Sequence, residues 1–318
     1  MPTIHVIGNV QLDVLANPVT AMPKPGGDSI IDRVDVRPAG AAGNVSLALA
    51  ALGAPHRLFA AVGDDYAGRW VLAEFEKLKL DQDILVKPGA TGISIAVEAP
   101  GRERAFITAH GVLADWTLAD LPDDATEADY VLLTGHFSLP ALRPATHELL
   151  AKARANGATT ILDTGWDPDD WKTTGRQEIL DLLPLVDLFL PNEPEALALT
   201  NLPIPHDAAI ALTRHSNHQT ILKRGPAGAL LTSPTPPNGR PGAATPGADT
   251  IVIPAPPAVP LDTTGAGDSL AAALLAELAA GKPLPEALTF AVAYASAVVT
   301  RPSHNRHPTR ADLPRLPH

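Results

Sequence analysis

The chain has 318 residues, and 35 acidic against 24 basic side chains give it a formal net charge of −11. That balance argues against nucleic acid or an anionic membrane as a partner, and the lack of cysteine excludes disulfides and thiolate metal sites. The length suits one large α/β domain with an appendage, or two domains. An apolar N-terminus without a basic leader, and no uncharged run long enough to cross a bilayer, predict a cytoplasmic protein.

The first predicted element is a buried strand over residues 3–8, an apolar run that ends in glycine. Gln11 and Asp13 follow it, where polar side chains just beyond a strand end can hydrogen-bond the hydroxyl groups of a ligand. A solvated loop carboxylate is the alternative interpretation of Asp13. Residues 14–37 are rich in Pro and Gly and alternate towards their end, which indicates strands with one apolar face.

A turn of small residues then opens the first predicted helix. Gly40 lies in this turn and Asn44 in the first helical turn, where missing side chains let another molecule approach the backbone. Close helix packing is the alternative. Residues 58–79 predict a strand, a turn and a helix, and residues 91–108 predict a β-hairpin that turns at 99–102.

From residue 128 onward the pattern is regular βα. It predicts strands over 130–135, 159–163 and 185–190, and a helix over 141–156. Parallel strands joined by right-handed crossovers place ligand sites at their C-terminal ends. Asp163 lies at such an end, with helix capping as the alternative role.

The stretch from Pro191 to Ile253 contains two further patterns. Asn192 and Glu195 directly follow a strand, where by themselves they would form a helix cap. Residues 220–231 predict a strand, a glycine turn and a second strand, and Lys223 or Arg224 could neutralise a phosphate there. The loop over 233–247 belongs to a hairpin that returns through 250–253.

The most informative string is Leu-Asp-Thr-Thr-Gly-Ala-Gly-Asp at residues 261–268, which leads into an Ala- and Leu-rich helix over 269–281. Backbone N–H groups at a helix N-terminus lack intrahelical partners and carry partial positive charge, so this glycine turn is shaped to hold an anion. Asp268 would repel a phosphate. It is better explained as a base that takes a proton from an attacking hydroxyl group, with capping as the alternative.

These strings together resemble the signatures of the PfkB, or ribokinase-like, carbohydrate kinases. Residues 262–268 resemble the second signature, and residues 39–44 resemble the first, Gly-Gly-x-x-x-Asn, with Ala39 in place of its first glycine. Residues 62–68 are similar to the Val-Gly-x-Asp-x-x-Gly segment of the family. Residues 192–195 and 225–228 match its Asn-x-x-Glu motif and its nucleotide-side Gly-x-x-Gly turn.

The resemblance implies a three-layer α/β/α sandwich with a mainly parallel central sheet and a small β-sheet lid. Residues 1–11, 39–88 and 112–318 would form the nucleotide- and substrate-binding core. Residues 12–38 and 89–111 would form the lid, which in the family covers the sugar and often provides a dimer surface. Because an exposed sheet edge needs cover, we expect a homodimer through the lid.

The resemblance also implies the roles of individual residues. Asp268 is the catalytic base, and the N–H groups of Gly265, Ala266, Gly267 and Asp268 form an anion hole. The substrate-binding positions are Gln11, Asp13, Gly40, Asn44 and Asp163. The positions for ATP are Asn192, Glu195, Lys223, Gly225, Gly228 and Thr264, of which Asn192 and Glu195 hold Mg²⁺ through water.

Two positions depart from the family. Gln11 stands where ribokinases usually have Asn. Asp262 and Thr264 match residues that hold a monovalent cation, K⁺, in ribokinases, but Arg-Pro-Ser-His at 301–304 replaces the usual Arg-x-Gly-Ala of that site.

The predicted activity is ATP- and Mg²⁺-dependent phosphorylation of a hydroxymethyl group on a free sugar or sugar acid, of the ribose, fructose or 2-keto-3-deoxygluconate type. A nucleoside kinase of the same family and a non-catalytic sugar sensor are the alternatives. An oxidoreductase is disfavoured, since the first βα turn lacks Gly-x-Gly-x-x-Gly. A phosphorylated sugar could use Arg37 and Arg104, but charged side chains on exposed strands are expected to be solvated.

Overall fold

Two β-sheets organise the chain. The computed structural model describes residues 2–17, 19, 24–81, 83–97, 105–235 and 247–313. The strands in these ranges are β1 (Ile4–Gly8), β2 (Gln11–Asn17), β3 (Arg33–Ala39), β4 (Arg57–Gly63), β5 (Ile84–Lys87), β6 (Ile93–Val97), β7 (Ala105–Ala109), β8 (Tyr130–Thr134), β9 (Thr159–Asp163), β10 (Leu188–Phe189), β11 (Gln219–Lys223), β12 (Ala229–Thr235) and β13 (Gly247–Ile253). The α-helices are α1 (Ala41–Ala51), α2 (Tyr66–Glu76), α3 (Thr146–Ala155), α4 (Gly175–Leu182), α5 (Glu193–Thr200), α6 (Pro205–Ser216), α7 (Ala266–Ala279) and α8 (Leu284–Val299).

The larger sheet contains nine of the described strands, in the order β13-β12-β11-β10-β9-β8-β1-β4-β5. The strands from β11 to β5 pair in parallel, and β12 and β13 extend the sheet antiparallel. The fully buried β1 lies between β4 and β8. Since parallel strands end at a common edge, the segments that follow β1, β9, β10 and β11 meet there.

Helices cover both faces of this sheet. Apolar side chains of α1, α2, α7 and α8 pack on one face, among them Leu49 and Leu274. Side chains of α3, α4, α5 and α6 pack on the other, among them Leu149 and Leu212. Burying one such leucine side chain contributes about 1.5–3 kcal/mol. The predicted three-layer α/β/α sandwich is therefore confirmed.

The smaller sheet has the strand order β3-β2-β6-β7. Its pairs are antiparallel except for β2 with β6, which are parallel. These strands lie in the ranges predicted for the lid, extended by Gln11 at one end and Ala39 at the other. One residue of each strand lies in a row across this sheet, in the order Val36, Val14, Ile95 and Ile107.

Successive side chains of a strand point to opposite faces, so that row defines one face of the lid. We call it the outer face. It comprises Leu12, Val14, Ala16, Val34, Val36, Pro38, Ile93, Ile95, Val97, Ala105, Ile107 and Ala109. All of these are apolar, and Val36, Ile95 and Ile107 are 49%, 39% and 60% exposed. The inner face carries Asp13, Arg37 and Ser94, all of which are buried.

Some predicted boundaries are wrong. The helix predicted over 141–156 begins only at Thr146, after a 3₁₀ turn at Arg143–Ala145, because Pro144 lacks an N–H and fits only a first turn. The strand predicted over 185–190 is limited to Leu188–Phe189, since Pro184 sits in a preceding 3₁₀ turn.

Other elements were not predicted, namely β5, α4 and α6, whereas the start of α5 agrees with the alternative interpretation of Asn192 and Glu195 as a helix cap. The turn predicted at 99–102 and most of the loop predicted at 233–247 lie outside the described residues. Within the described ranges, none of the helices has the length and apolar character that a membrane span requires.

Candidate active site

Residues 264–268, at the start of α7, form the turn that the sequence predicts to hold an anion, and we call it the anion turn. Gly265 caps the helix with a left-handed backbone, φ +69°. The N–H of Ser269 donates to Gly265 O at 2.9 Å and that of Ala266 to Thr263 O at 3.2 Å. Gly267 and Asp268 are first-turn residues, whose N–H groups a helix leaves without intrahelical partners. Of the predicted anion-hole donors, the Ala266 N–H is thus engaged within the turn itself.

Asp268 stands in this first turn and is joined to α1. Asn44 Nδ2 donates to Asp268 Oδ2 at 2.8 Å. Burial and the negative charge of Asp163 raise the pKa of Asp268 to about 7, against the opposing effect of the Asn44 bond. A carboxylate with a pKa close to the working pH is well suited to act as a general base. Gly265 closes the same corner, since a Cβ there would lie 2.9 Å from Asn44 Nδ2.

Lys223 places an ammonium group beside the turn. Its Nζ donates to Asp163 Oδ2 at 2.7 Å, with side-chain exposures of 12% and 7%. A Cβ on Gly267 would be 3.2 Å from this Nζ, so the ammonium group faces the turn. Burial would lower the pKa of Lys223, but the charges of Asp163 and Glu195 outweigh burial and raise it. Lys223 therefore carries a positive charge next to Gly267.

Asn192 and Glu195 form a capping box at the start of α5. The Asn192 side chain accepts from Glu195 N at 2.9 Å, and Glu195 Oε2 accepts from Asn192 N at 2.9 Å. Burial raises the pKa of Glu195. The capping role that the sequence allowed is thus present, and it leaves the carboxylate buried close to Lys223 and Asp163.

Because both Glu195 oxygens accept hydrogen bonds from Asn192, the donor set here fits a Mg²⁺ ion only through bridging water. Asp163, Glu195 and Asp268 act electrostatically on Lys223 as neighbouring negative charges, so three carboxylates share one ammonium group. Among the described residues, no group of three or more acidic or His side chains is arranged as a metal-binding cage made by the protein alone. Mg²⁺ keeps several waters and is held by one or two carboxylates together with substrate phosphates, so a cage is not required.

The glycine turn between β11 and β12 adopts unusual backbone angles. Gly225 and Gly228 have φ of +50° and +85°, and a Cβ on Gly228 would collide with Ile253 O. Arg224 Nε donates to Glu193 Oε1 at 2.7 Å. Lys223, and not Arg224, is the cation that faces the anion turn.

Two of the predicted sugar positions, Gln11 and Asp13, lie along one hydrogen-bonded row. Asn9 Nδ2 donates to Gln11 Oε1 at 3.2 Å, and Gln11 Nε2 donates to Asp13 Oδ1 at 3.0 Å. Burial raises the pKa of Asp13, which is 4% exposed. Gly40 caps α1 with φ +89°, and a Cβ there would collide with Asn9 O. Because Gly40 and Asn44 belong to the same helix start, α1 connects this row to Asp268.

Asp262 is held by two arginines. Its Oδ2 accepts from Arg37 Nη1 and from Arg306 Nη1, both at 2.8 Å, and its Oδ1 accepts from Thr264 N at 2.8 Å. The expectation that Arg37 is solvated is wrong, since its side chain is 10% exposed and pairs with Asp262. Arg104 lies outside the described residues.

This arrangement does not fit a monovalent cation at Asp262 and Thr264. The Asp262 carboxylate accepts hydrogen bonds from two positively charged guanidinium groups, which occupy the place of a bound cation. Two guanidinium groups in contact with that carboxylate would also repel a cation.

Sequence reasoning missed two residues of the site. Asn9 directly follows β1, two residues before Gln11, and this position could have revealed it. Arg306 gives no such signal, because it lies in an irregular segment near the C-terminus and reaches Asp262 only through the tertiary fold.

Comparison with known proteins finds relatives among the sugar and nucleoside kinases. A 2-dehydro-3-deoxygluconokinase of Bacillus subtilis is 25% identical over 265 residues, which span 79% of this chain and 76% of that protein. A cytidine kinase of Thermococcus kodakarensis is 24% identical over 95% of this chain and 97% of its own length. The structure of Arabidopsis thaliana ribokinase complexed with ribose and ATP shares the fold, with a TM-score of 0.78, 23% identity and coverage of 98% and 97% of the two chains. The model of the pfkB family carbohydrate kinases matches residues 1–310, and the chain therefore belongs to that family of phosphotransferases.

Proposed function

We propose that this chain is an ATP- and Mg²⁺-dependent kinase that transfers the γ-phosphoryl group to a hydroxymethyl group of a free sugar or sugar acid. Acceptors of the ribose, fructose or 2-keto-3-deoxygluconate type are included. The observation that carries the proposal is the placement of Asp268, a buried carboxylate with a pKa raised to about 7, in the first turn of the helix that begins at the glycine turn.

In the proposed reaction Asp268 takes the proton of the acceptor hydroxyl, and the resulting alkoxide attacks the γ-phosphorus in line. The N–H groups of Gly267 and Asp268 point at the charge that develops on the transferred group. Preorganised donors of this kind are each worth about 3 kcal/mol. Asn44 holds the Asp268 carboxylate in place through its 2.8 Å bond.

On the nucleotide side, Lys223 neutralises the phosphates of ATP where it faces Gly267. Gly225 and Gly228 shape the turn on this side, and Thr264 is the first residue of the anion turn. Asn192 and Glu195 would hold Mg²⁺ through water, and the ion would neutralise charge between the phosphates. The proposal includes no K⁺ ion, because Arg37 and Arg306 already neutralise Asp262.

On the acceptor side, Asp13 and Gln11 are proposed to bind sugar hydroxyl groups. Their bonds to each other and to Asn9 preorganise the row. Gly40 is proposed to offer its backbone to the substrate, and its lack of a side chain is also required by the close contact with Asn9 O. Asp163 is bonded to Lys223, which makes support of the ammonium group its main proposed role and substrate contact a second one.

A nucleoside kinase is the second candidate, and the likeness to a cytidine kinase favours keeping it. A non-catalytic sugar sensor is the third. It would have no use for a base with a raised pKa beside an ammonium group, which are both present. We also propose a cytoplasmic location, since the proposed reaction consumes ATP.

We further propose a homodimer formed through the lid. The outer face is apolar throughout and exposes Val36, Ile95 and Ile107. Exposed apolar faces of this kind are covered by partners. A second copy of the same face is a self-complementary occupant, as a two-fold interface requires.

The test is ADP release with Mg·ATP across pentoses, hexoses, keto-deoxy acids, nucleosides and hexose phosphates, with the Asp268→Asn variant beside the wild type. Turnover on a sugar or sugar acid that collapses in the variant supports the proposal. Turnover only on nucleosides selects the second candidate. No turnover, with sugars still raising the melting temperature, selects the sensor.

A further inference from the structure

Three segments far apart in the sequence meet at the Asp262 carboxylate. Arg37 comes from β3 of the lid, Asp262 from the residues before the anion turn, and Arg306 from the segment after α8. The side chains of Arg37, Asp262 and Arg306 are 10%, 12% and 4% exposed. Two buried guanidinium groups thus converge on one carboxylate, and Arg37 also lies 3.4 Å from Ser303 Oγ.

This cluster is adjacent to the catalytic groups. Asp262 Oδ1 accepts from Thr264 N, one residue before the glycine that caps α7. The charge of Arg306 acts on Asp268 and on Asp13, while that of Arg37 acts on Asp13. The guanidinium groups therefore lie close enough to influence both the proposed base and the proposed sugar site.

We propose that Arg37 and Arg306 serve as a built-in cation behind the anion turn, so that this kinase works without a monovalent metal ion. The inference rests on the proposed function. Arg37 and Arg306 contact Asp262, and they act through it as positioning residues. They hold Asp262, which holds the backbone of Thr264, and they add positive potential where phosphoryl charge develops. Since Arg37 is part of the lid, the same contact links the lid to the turn.

The first experiment compares the wild-type protein in KCl, NaCl and tetramethylammonium chloride at equal ionic strength. Both the rate of ADP release and the melting temperature are measured. We expect the same rate and the same melting temperature in all three salts. A rate or a melting temperature that rises specifically with K⁺ overturns the inference. Absence of turnover in every salt contradicts the proposed function instead, and the melting temperatures still test the cation site.

The second experiment uses Arg306→Met and Arg37→Met. Each leaves Asp262 with one guanidinium group, and we expect kcat to fall about 10- to 100-fold, as for groups that orient a site from one contact away. The KM for the sugar should change less than kcat for Arg306→Met. The conservative Arg306→Lys should recover part of the rate, and added guanidinium ion or K⁺ should stimulate Arg306→Met but not the wild type.

The matched control is Arg310→Met, which removes an arginine of the same C-terminal segment that pairs with Glu277 at 2.6 Å. It should keep the wild-type rate. If Arg306→Met and Arg37→Met, with melting curves like that of the control, also keep the wild-type rate, the built-in cation is refuted. If one variant fails to fold, the other variant and the wild-type salt comparison still decide.

Discussion

Asn44 Nδ2 and Asp268 Oδ2 are hydrogen-bonded at 2.8 Å, although the two residues lie 224 positions apart in the chain. The bond ties the first turn of α1 to the first turn of α7. It favours the charged form of Asp268, whereas burial and Asp163 oppose that form. The proton affinity of the proposed base is thus set by groups that can be changed one at a time.

Replacing Asp268 by Asn keeps the shape of the side chain and removes the base. We expect kcat to fall about 10²- to 10⁴-fold with little change in the KM for ATP, measured by ADP release. A variant that keeps its rate would exclude Asp268 as the base.

The same variant should differ in stability as pH changes. Because burial raises the pKa of Asp268 from 3.8 to about 7, the folded protein binds this proton more tightly than the unfolded chain does. Stability from this group therefore declines as pH rises across that interval. Asp268→Asn should melt higher than the wild type above pH 7, and the difference should vanish near about pH 4. A lower melting temperature above neutral pH would contradict the buried carboxylate.

The pH profile of kcat/KM should respond to the neighbours of Asp268. In the wild type we expect a decline below about pH 7, where the base becomes protonated. Asp163→Asn removes a negative charge, so the decline should move to lower pH, whereas Asn44→Asp adds one and should move it to higher pH. The exposed Asp249→Asn is the control and should leave the profile in place. Shifts in the opposite directions would show that another group titrates.

Lys223 and Arg224 are neighbours in sequence with different surroundings. Lys223 faces Gly267 of the anion turn, whereas Arg224 pairs with Glu193. A hydrogen bond to a charged group is worth about 1.5–3 kcal/mol, so Lys223→Met should reduce kcat/KM for ATP about 10- to 100-fold. Arg224→Met is the matched control and should change it far less. Equal losses in initial-rate measurements would argue against a special role for Lys223.

Two glycines with similar φ angles allow the effect of backbone strain to be distinguished from the effect of a side-chain contact. Gly265 and Gly53 have φ of +69° and +67°, but only at Gly265 would a Cβ meet other atoms, with Asn44 Nδ2 at 2.9 Å. Both Ala variants should lose about 1–2 kcal/mol of stability from the left-handed conformation. Gly265→Ala should in addition lose most of its activity, whereas Gly53→Ala should keep it. Denaturant melts and ADP release check the two effects, and full activity of Gly265→Ala would refute the contact.

The outer face of the lid should control the oligomeric state. Ile95 lies in the middle of the apolar row with Val14 and Ile107 beside it. Ile95→Glu would bury a charge in the proposed dimer, so we expect monomers in sedimentation experiments. Val252, 59% exposed on the edge strand β13, provides the control variant Val252→Glu, which should stay dimeric. A wild type that sediments as a monomer would exclude the dimer.

Much of the architecture could be predicted because its signals are local. Short apolar runs predicted β1, β8 and β9, and glycines beside Ala-rich runs predicted α1 and α7. Family membership and the class of enzyme could be predicted because two specific strings occur in order. Both are confirmed by the family match over residues 1–310. The short helices α4 and α6 lack such strings, and they contain only eight and twelve residues.

The candidate site divides in the same way. Residues placed by a local motif, such as Gly265 and Asp268, could be named from the sequence, although their roles remain predictions. The solvated side chain expected for Arg37 is wrong. Alternation in β3 indicates on which face of the strand Arg37 lies, but it does not indicate that Asp262 and Arg306 cover that face. Arg37 and Arg306 are 225 and 44 positions from Asp262 in the sequence, so they meet it only in the folded chain.

The position of β1 bears on how the protein folds during synthesis. The first strand of the chain is the neighbour of both β4 and β8, with Ile4 opposite Tyr130. The centre of the sheet therefore stays incomplete until the ribosome has delivered β8, and a contact so distant in sequence forms slowly. Until then the unpaired backbone N–H and C=O groups on one edge of β1, a strand that is buried in the folded protein, are exposed to other chains. A fragment that stops before β8 should consequently aggregate, and the N-terminal half cannot act as an independent folding unit.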